Sequence, residues 1–84
     1  MFYVYFLRSR IKPDQCYIGY TTDLKKRLKR HNNKEVLSTK PYAPWEIIFY
    51  EAYKSKKDAK RREKYLKTTK GRKGLKLMLR DSLL

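Results

Sequence analysis

The chain has 84 residues, with 23 lysines and arginines against 8 acids and a formal net charge of +15. That length holds one small domain, residues 1–84, with no room for a second core, and the lone Cys16 excludes an internal disulfide or a cysteine-based zinc cluster. The charge exceeds what solubility needs and points to a polyanion: nucleic acid before a membrane surface, because the basic helices lack a large apolar face bearing Trp or Phe.

The apolar run Met1 to Leu7 is too short to span a bilayer and lacks a basic leader and cleavage site, so a soluble cytoplasmic protein is expected. Phe2 to Leu7 is β-branched and aromatic without polar alternation, the pattern of a strand covered on both faces. Arg8 to Gln15, with Pro13 and Asp14 inside it, forms the polar connection to a second strand, Cys16 to Tyr20, in a hairpin. Alternation puts Tyr3 and Tyr5 on one side of the first strand and Tyr17 and Gly19 on one side of the second. Tyr5 and Tyr17 can therefore be cross-strand neighbours, although tyrosines are also ordinary strand residues.

After a turn over Gly19 to Thr22, a helix begins with Thr22 as its N-cap and Asp23 in its first turn. At about 100° per residue, Leu24, Arg27, Leu28 and His31 share one face, and Lys25, Lys26, Lys29 and Arg30 take the other. Arg27 and His31 thus lie on the side that the leucines bury, where a guanidinium and an imidazole can converge on an anion. The plain alternative is an arginine stem laid over the core and a hydrogen-bonded structural histidine.

Asn32 to Pro44 reads as an irregular loop. Trp45 to Tyr53 is the strongest strand, apolar enough for the centre of a sheet, with Glu46 and Glu51 turned to solvent. Ser55 and Asp58 have the spacing of a capping box and open a helix to about Lys67, whose inner face carries Ala59, Arg62, Glu63 and Leu66. Glu63 beside an apolar stripe either pairs with Lys67 or ligates a divalent ion, since Mg2+ is commonly held by one or two carboxylates with phosphate oxygens and water. Thr68 to Gly74 reads as a basic connection suited to a phosphate backbone, and Leu75, Met78, Leu79 and Ser82 mark a short terminal helix.

Tyr3-Val4-Tyr5, Tyr17-Ile18-Gly19, Arg27, His31 and Glu63, in that order, resemble the motifs of the GIY-YIG nuclease superfamily. The likeness is to its small single-domain members, related to the catalytic domains of an excision-repair nuclease and of homing endonucleases. The resemblance implies an α+β fold, a three-stranded antiparallel sheet flanked by helices, and an endonuclease dependent on one Mg2+ or Mn2+. It also implies Tyr17 as the base for water, Arg27 on the scissile phosphate, Tyr5 and His31 orienting the water and relaying its proton, and Glu63 as the metal ligand. A free phenol is ionised about one part in a thousand near neutral pH, so basic surroundings serve such a base. Tyr20 stands where several relatives carry lysine, Tyr3 replaces a motif glycine, and no asparagine follows Asn33 where larger relatives place one. Lys70, Arg72 or Lys73 stands in for that asparagine, and the substrate contacts expected are Tyr20, Lys26, Arg30, Lys70, Arg72 and Lys73, with DNA favoured over RNA. A non-catalytic nucleic-acid-binding module on the same fold is the rival reading, separated from the first by turnover.

Overall fold

Val4, Tyr5, Phe6 and Leu7 are all buried, which consecutive strand residues achieve only when both faces of the strand are covered. In the computed structural model, which describes Met1–Leu84, they lie in β1 (Phe2–Ser9), with β2 (Cys16–Thr21) on one side and β3 (Trp45–Tyr53) on the other. Both pairings are antiparallel, and the β1–β2 hairpin sets Tyr5 opposite Gly19 and Leu7 opposite Tyr17. Opposite the Phe6–Leu7 step the β3 register skips Ile48, a one-residue bulge.

The strand expected at the sheet's centre, β3, is an edge strand. Its apolar content misleads because it carries an exposed Tyr50 and two paired acids, features that suit an edge. Glu46 and Glu51 are not free in solvent either: Arg8 and Arg10 hold Glu46 at 3.3 and 3.8 Å, and Arg62 holds Glu51 at 2.9 Å.

The sheet divides the interior in two, where the length suggested one core. On one face Val4, Phe6 and Ile18 pack with Ala59 and Leu66 of α2 (Lys56–Leu66) and with Leu75 of α3 (Thr69–Met78). On the other, Tyr5, Leu7 and Trp45 pack with Leu24 and Leu28 of α1 (Leu24–Asn32). Burying each of these larger side chains contributes about 1.5–3 kcal/mol.

Helix starts depart from the sequence reading in detail. Asp23, not Thr22, caps α1, its carboxylate accepting from the Lys26 N–H at 3.0 Å. Ser55 occupies the N-cap of α2 without a side-chain cap bond, and Asp58 pairs instead with Arg61 at 2.9 Å. The segment Thr68 to Gly74, read as a connection, is mostly helix. Thr68 caps α3 by accepting from the Gly71 N–H at 3.0 Å, and the glycine serves close packing: a Cβ on Gly71 would collide with the Tyr65 carbonyl. Leu75 and Leu79 are buried as the spacing predicts, whereas Met78 and Ser82 are exposed.

Candidate active site

Gly19 admits Tyr5 to the site. The two residues face each other across the β1–β2 pair, and a Cβ on Gly19 would run into the Tyr5 phenol, so the ring lies over the backbone of β2 where only glycine leaves room. Tyr17, two residues back on the same face of β2, and His31 from α1 complete a triangle of rings. Their centroids are 6.3 Å apart for Tyr5–Tyr17, 5.7 Å for Tyr5–His31 and 5.1 Å for Tyr17–His31.

A chain of hydrogen bonds runs through this triangle. Arg27 Nε lies 3.3 Å from the Tyr5 hydroxyl, that hydroxyl 2.8 Å from His31 Nε2, and His31 Nδ1 2.7 Å from Thr39 Oγ1. Thr39 Oγ1 in turn reaches the Val36 carbonyl at 3.3 Å. Burial, aided by the charges of Arg27 and Arg30, lowers the His31 pKa to about 4, so the ring is neutral at pH 7 and one nitrogen must accept. One direction satisfies every group: Arg27 donates to Tyr5, Tyr5 donates to Nε2, Nδ1–H donates to Thr39, and Thr39 donates to Val36. The reverse tautomer would leave the Tyr5 O–H as a buried donor with nothing to accept it, at a cost of about 1–3 kcal/mol.

The ionisable groups respond accordingly. Burial raises the Tyr5 pKa against the opposing pull of Arg27. Hydrogen bonding to Tyr5 raises Arg27 above its ordinary value, with Tyr17 adding smaller charge and hydrogen-bond contributions. Tyr5 is 2% and His31 0% exposed. Tyr5 bonds Arg27 directly, and His31 reaches Arg27 only through Tyr5. Tyr17 and Arg27 are half-buried and have solvent on one side.

Glu63 comes to the same edge of the sheet from α2. Its side chain is 16% exposed, and its charge reaches Tyr5, adding slightly to the upward shift there. Oε1 lies 3.7 Å from Lys60 Nζ, and Oε2 lies 3.2 Å from Lys67 Nζ, the pairing expected for Lys67. Lys67 Nζ is 5.9 Å from the Tyr17 ring centroid, which ties the carboxylate to the aromatic triangle. No group of three His, Cys, Asp or Glu side chains is placed to hold a metal. Glu63 as a lone carboxylate nevertheless fits a hard divalent ion that takes its remaining ligands from phosphate and water.

The assigned substrate contacts divide. Tyr20 stacks on Phe2 with a 6.4 Å centroid separation and has Lys60 Nζ 4.0 Å from its ring, beside Glu63. Lys26 and Arg30 lie on the exposed face of α1, and Lys70 and Lys73 on the exposed surface of α3. Arg72 is drawn away, into a separate crevice of about 130 Å³ with Asp14, Gln15, Cys16 and Lys76. The largest groove, about 490 Å³, lies elsewhere, between Tyr53 and the α2 residues Asp58, Arg61, Arg62 and Tyr65.

Two contributors escaped the sequence reading. Thr39 is 1% exposed and ends the hydrogen-bond chain, while its carbonyl accepts from Trp45 Nε1 at 3.0 Å. Asn32 grips both backbone groups of Trp45, accepting from its N–H at 2.6 Å and donating to its carbonyl at 3.1 Å. That clamp joins the end of α1 to the start of β3. Neither residue belongs to a periodic pattern, so no signal marked them.

Residues 1–76 match the family described as the GIY-YIG catalytic domain. The UPF0213 protein CPE1444 of Clostridium perfringens is 37% identical over 68 residues, covering 80% of this chain and 71% of the relative. The UPF0213 protein YazA of Bacillus subtilis is 41% identical over 64 residues, 75% of this chain and 65% of the relative. The UPF0213 protein SSP2268 of Staphylococcus saprophyticus is 34% identical over 77 residues, 90% of this chain and 92% of the relative. No solved structure matches the chain.

Proposed function

The chain belongs to the GIY-YIG family, and from that premise we propose that it is a divalent-metal-dependent endonuclease hydrolysing phosphodiester bonds in nucleic acid, DNA before RNA. The observation that carries this reading is the braced arginine: the buried Tyr5, itself bonded to the buried His31, holds Arg27 by its Nε at an edge shared with Tyr17 and Glu63. Bracing through Nε leaves the terminal amino groups to meet a phosphate as paired donors while negative charge builds on it. Tyr17 is the phenol of the pair that reaches solvent, which suits it to take a proton from the attacking water. Glu63 would hold the divalent ion, which when bound neutralises charge on the reacting phosphate and its leaving oxygen. Lys26, Arg30, Lys70 and Lys73 then serve as backbone contacts, within a formal charge of +15 that draws a polyanion to the surface. No helix is long and apolar enough to cross a membrane.

The test is nicking and cleavage of duplex, single-stranded and flapped DNA and of RNA, with Mg2+ or Mn2+ and in chelator. The expected result is cation-dependent turnover that Arg27→Ala and Glu63→Ala each reduce by about 10²-fold or more, with the circular dichroism of the parent retained. Robust cleavage by Glu63→Ala, or in chelator, overturns the assignment. Salt-sensitive binding without turnover on any substrate would identify the domain as a binding module.

A further inference from the structure

Six ion pairs form in the molecule, and the acid at the site is paired differently from the rest. Glu46, Glu51 and Asp58 are each held by arginine, whereas Glu63 is held only by lysines, one to each oxygen. A guanidinium fork fits a carboxylate in fixed geometry, while an ammonium is a mobile point charge that exchanges partners readily. Both lysines are nonetheless anchored a second time on β2. Lys60 Nζ stands 4.0 Å from the Tyr20 ring centroid and Lys67 Nζ 5.9 Å from that of Tyr17, contacts that favour a cation. Two lysines, one within α2 and one at its C-cap, thus flank a largely shielded carboxylate, each set also against a tyrosine of β2.

We infer that Lys60 and Lys67 form an internal counter-ion latch on Glu63, which a divalent cation must displace and which a substrate phosphate opens by drawing the lysines to itself. The inference rests on the nuclease reading and adds an order to it. In the free protein the carboxylate is neutralised by its own chain, so cation affinity is low. Phosphate competes for the lysines and the cation for the carboxylate, so binding of either ligand favours the other, with a reciprocal coupling.

The experiment measures Mn2+ binding to the whole chain without nucleic acid, by the paramagnetic resonance signal of free Mn2+. The proteins are the parent, Lys60→Met/Lys67→Met, and Lys25→Met/Lys29→Met, which removes the same charge from the outer face of α1. Partly exposed pairs of this kind shift an equilibrium by about threefold each, so the first variant is expected to bind Mn2+ about tenfold more tightly than the parent, and the second by much less. Adding Glu63→Gln to the first variant is expected to abolish the gain. Equal gains in the two lysine variants, unchanged or weaker binding in the first, or a gain that survives Glu63→Gln would each overturn the latch. If the first variant does not fold, Lys67→Gln against Lys29→Gln makes the same comparison. Cleavage is read separately. A parent that cleaves with Mn2+ while the variants bind it no better overturns the latch alone, and a parent that neither binds Mn2+ nor cleaves overturns the nuclease reading with it.

Discussion

Protonating His31 is the perturbation that reaches furthest into the site. The ring is 0% exposed and its pKa falls from the ordinary 6.5 to about 4, chiefly through burial. The unfolded chain therefore takes up a proton that the folded chain refuses. The stability tied to neutral His31 is complete above pH 6.5, declines as the pH falls below it, and is exhausted near pH 4. At 1.36 kcal/mol per unit the loss is about 2 kcal/mol at pH 5 and about 3 kcal/mol at pH 4, a large share of the roughly 5–15 kcal/mol that holds a small domain together. An imidazolium has no lone pair, so the Tyr5 hydroxyl would also lose its acceptor and Arg27 its brace. Urea unfolding of the parent and of His31→Gln, followed between about pH 7.5 and pH 4, isolates the effect, because the carboxylates titrate alike in both proteins. The variant's amide can accept from Tyr5 and donate to Thr39. The difference in stability between the two proteins is expected to shrink as the pH falls. Parallel profiles would refute the reasoning.

The glycines supply two further tests. Gly71→Ala is expected to cost about 1–3 kcal/mol, because the new methyl meets the Tyr65 carbonyl, a backbone group that cannot step aside. Gly74→Ala, in the same helix with open space at its Cβ, should stabilise by about 0.5–1 kcal/mol. Denaturation midpoints that move the same way in both variants would contradict the packing described. Gly19→Ala should displace the Tyr5 phenol, costing about 1–3 kcal/mol of stability and lowering any cleavage activity through a loosened Arg27. Parent-like stability together with parent-like turnover would show that the ring does not depend on that space.

What the sequence revealed follows from period. The unbroken apolar run Phe2 to Leu7 announced β1 as a strand covered on both faces, and the 3.6-residue repeat placed Arg27 and His31 on the face of α1 that carries Leu24 and Leu28. The motif triplets then had a physical meaning: Gly19 is small because Tyr5 lies on it. Period fails where a residue's role is set by a single tertiary contact. The placement of β3 at the edge depended on which neighbour β1 found on its other side, and an apolar strand reads the same in either position. The glycines of α3 suggested a connection between helices, yet Gly71 is needed for its contact with the end of α2. Thr39 and Asn32 sit outside any repeat, so their bonds to His31 and Trp45 were invisible until the chain was folded. The bond between Tyr5 and His31 was hidden for the same reason, because spacing gives the face of an element but not the partner a side chain meets.

The two sides of the site are built with opposite stiffness, which the proposed hydrolysis of a phosphodiester would account for. On the α1 side, the half-buried Arg27 is bonded to Tyr5, and through it to His31 and Thr39, all three buried, in a chain in which each hydrogen bond constrains the next. A donor that must match charge developing on a phosphate gains from being fixed beforehand, since it then needs no reorganisation as the reaction proceeds. On the α2 side, Glu63 is held by partly exposed lysines that a competing ion can exchange. In the proposed role as ligand of a labile cation, Glu63 would benefit from that looseness, because a carboxylate locked in an arginine fork would resist giving up its partner. Exchanging the two kinds of contact would harm both roles. A lysine at position 27 could not be held by one nitrogen while offering two others to a phosphate, and an arginine at position 67 would bind Glu63 too well to release it.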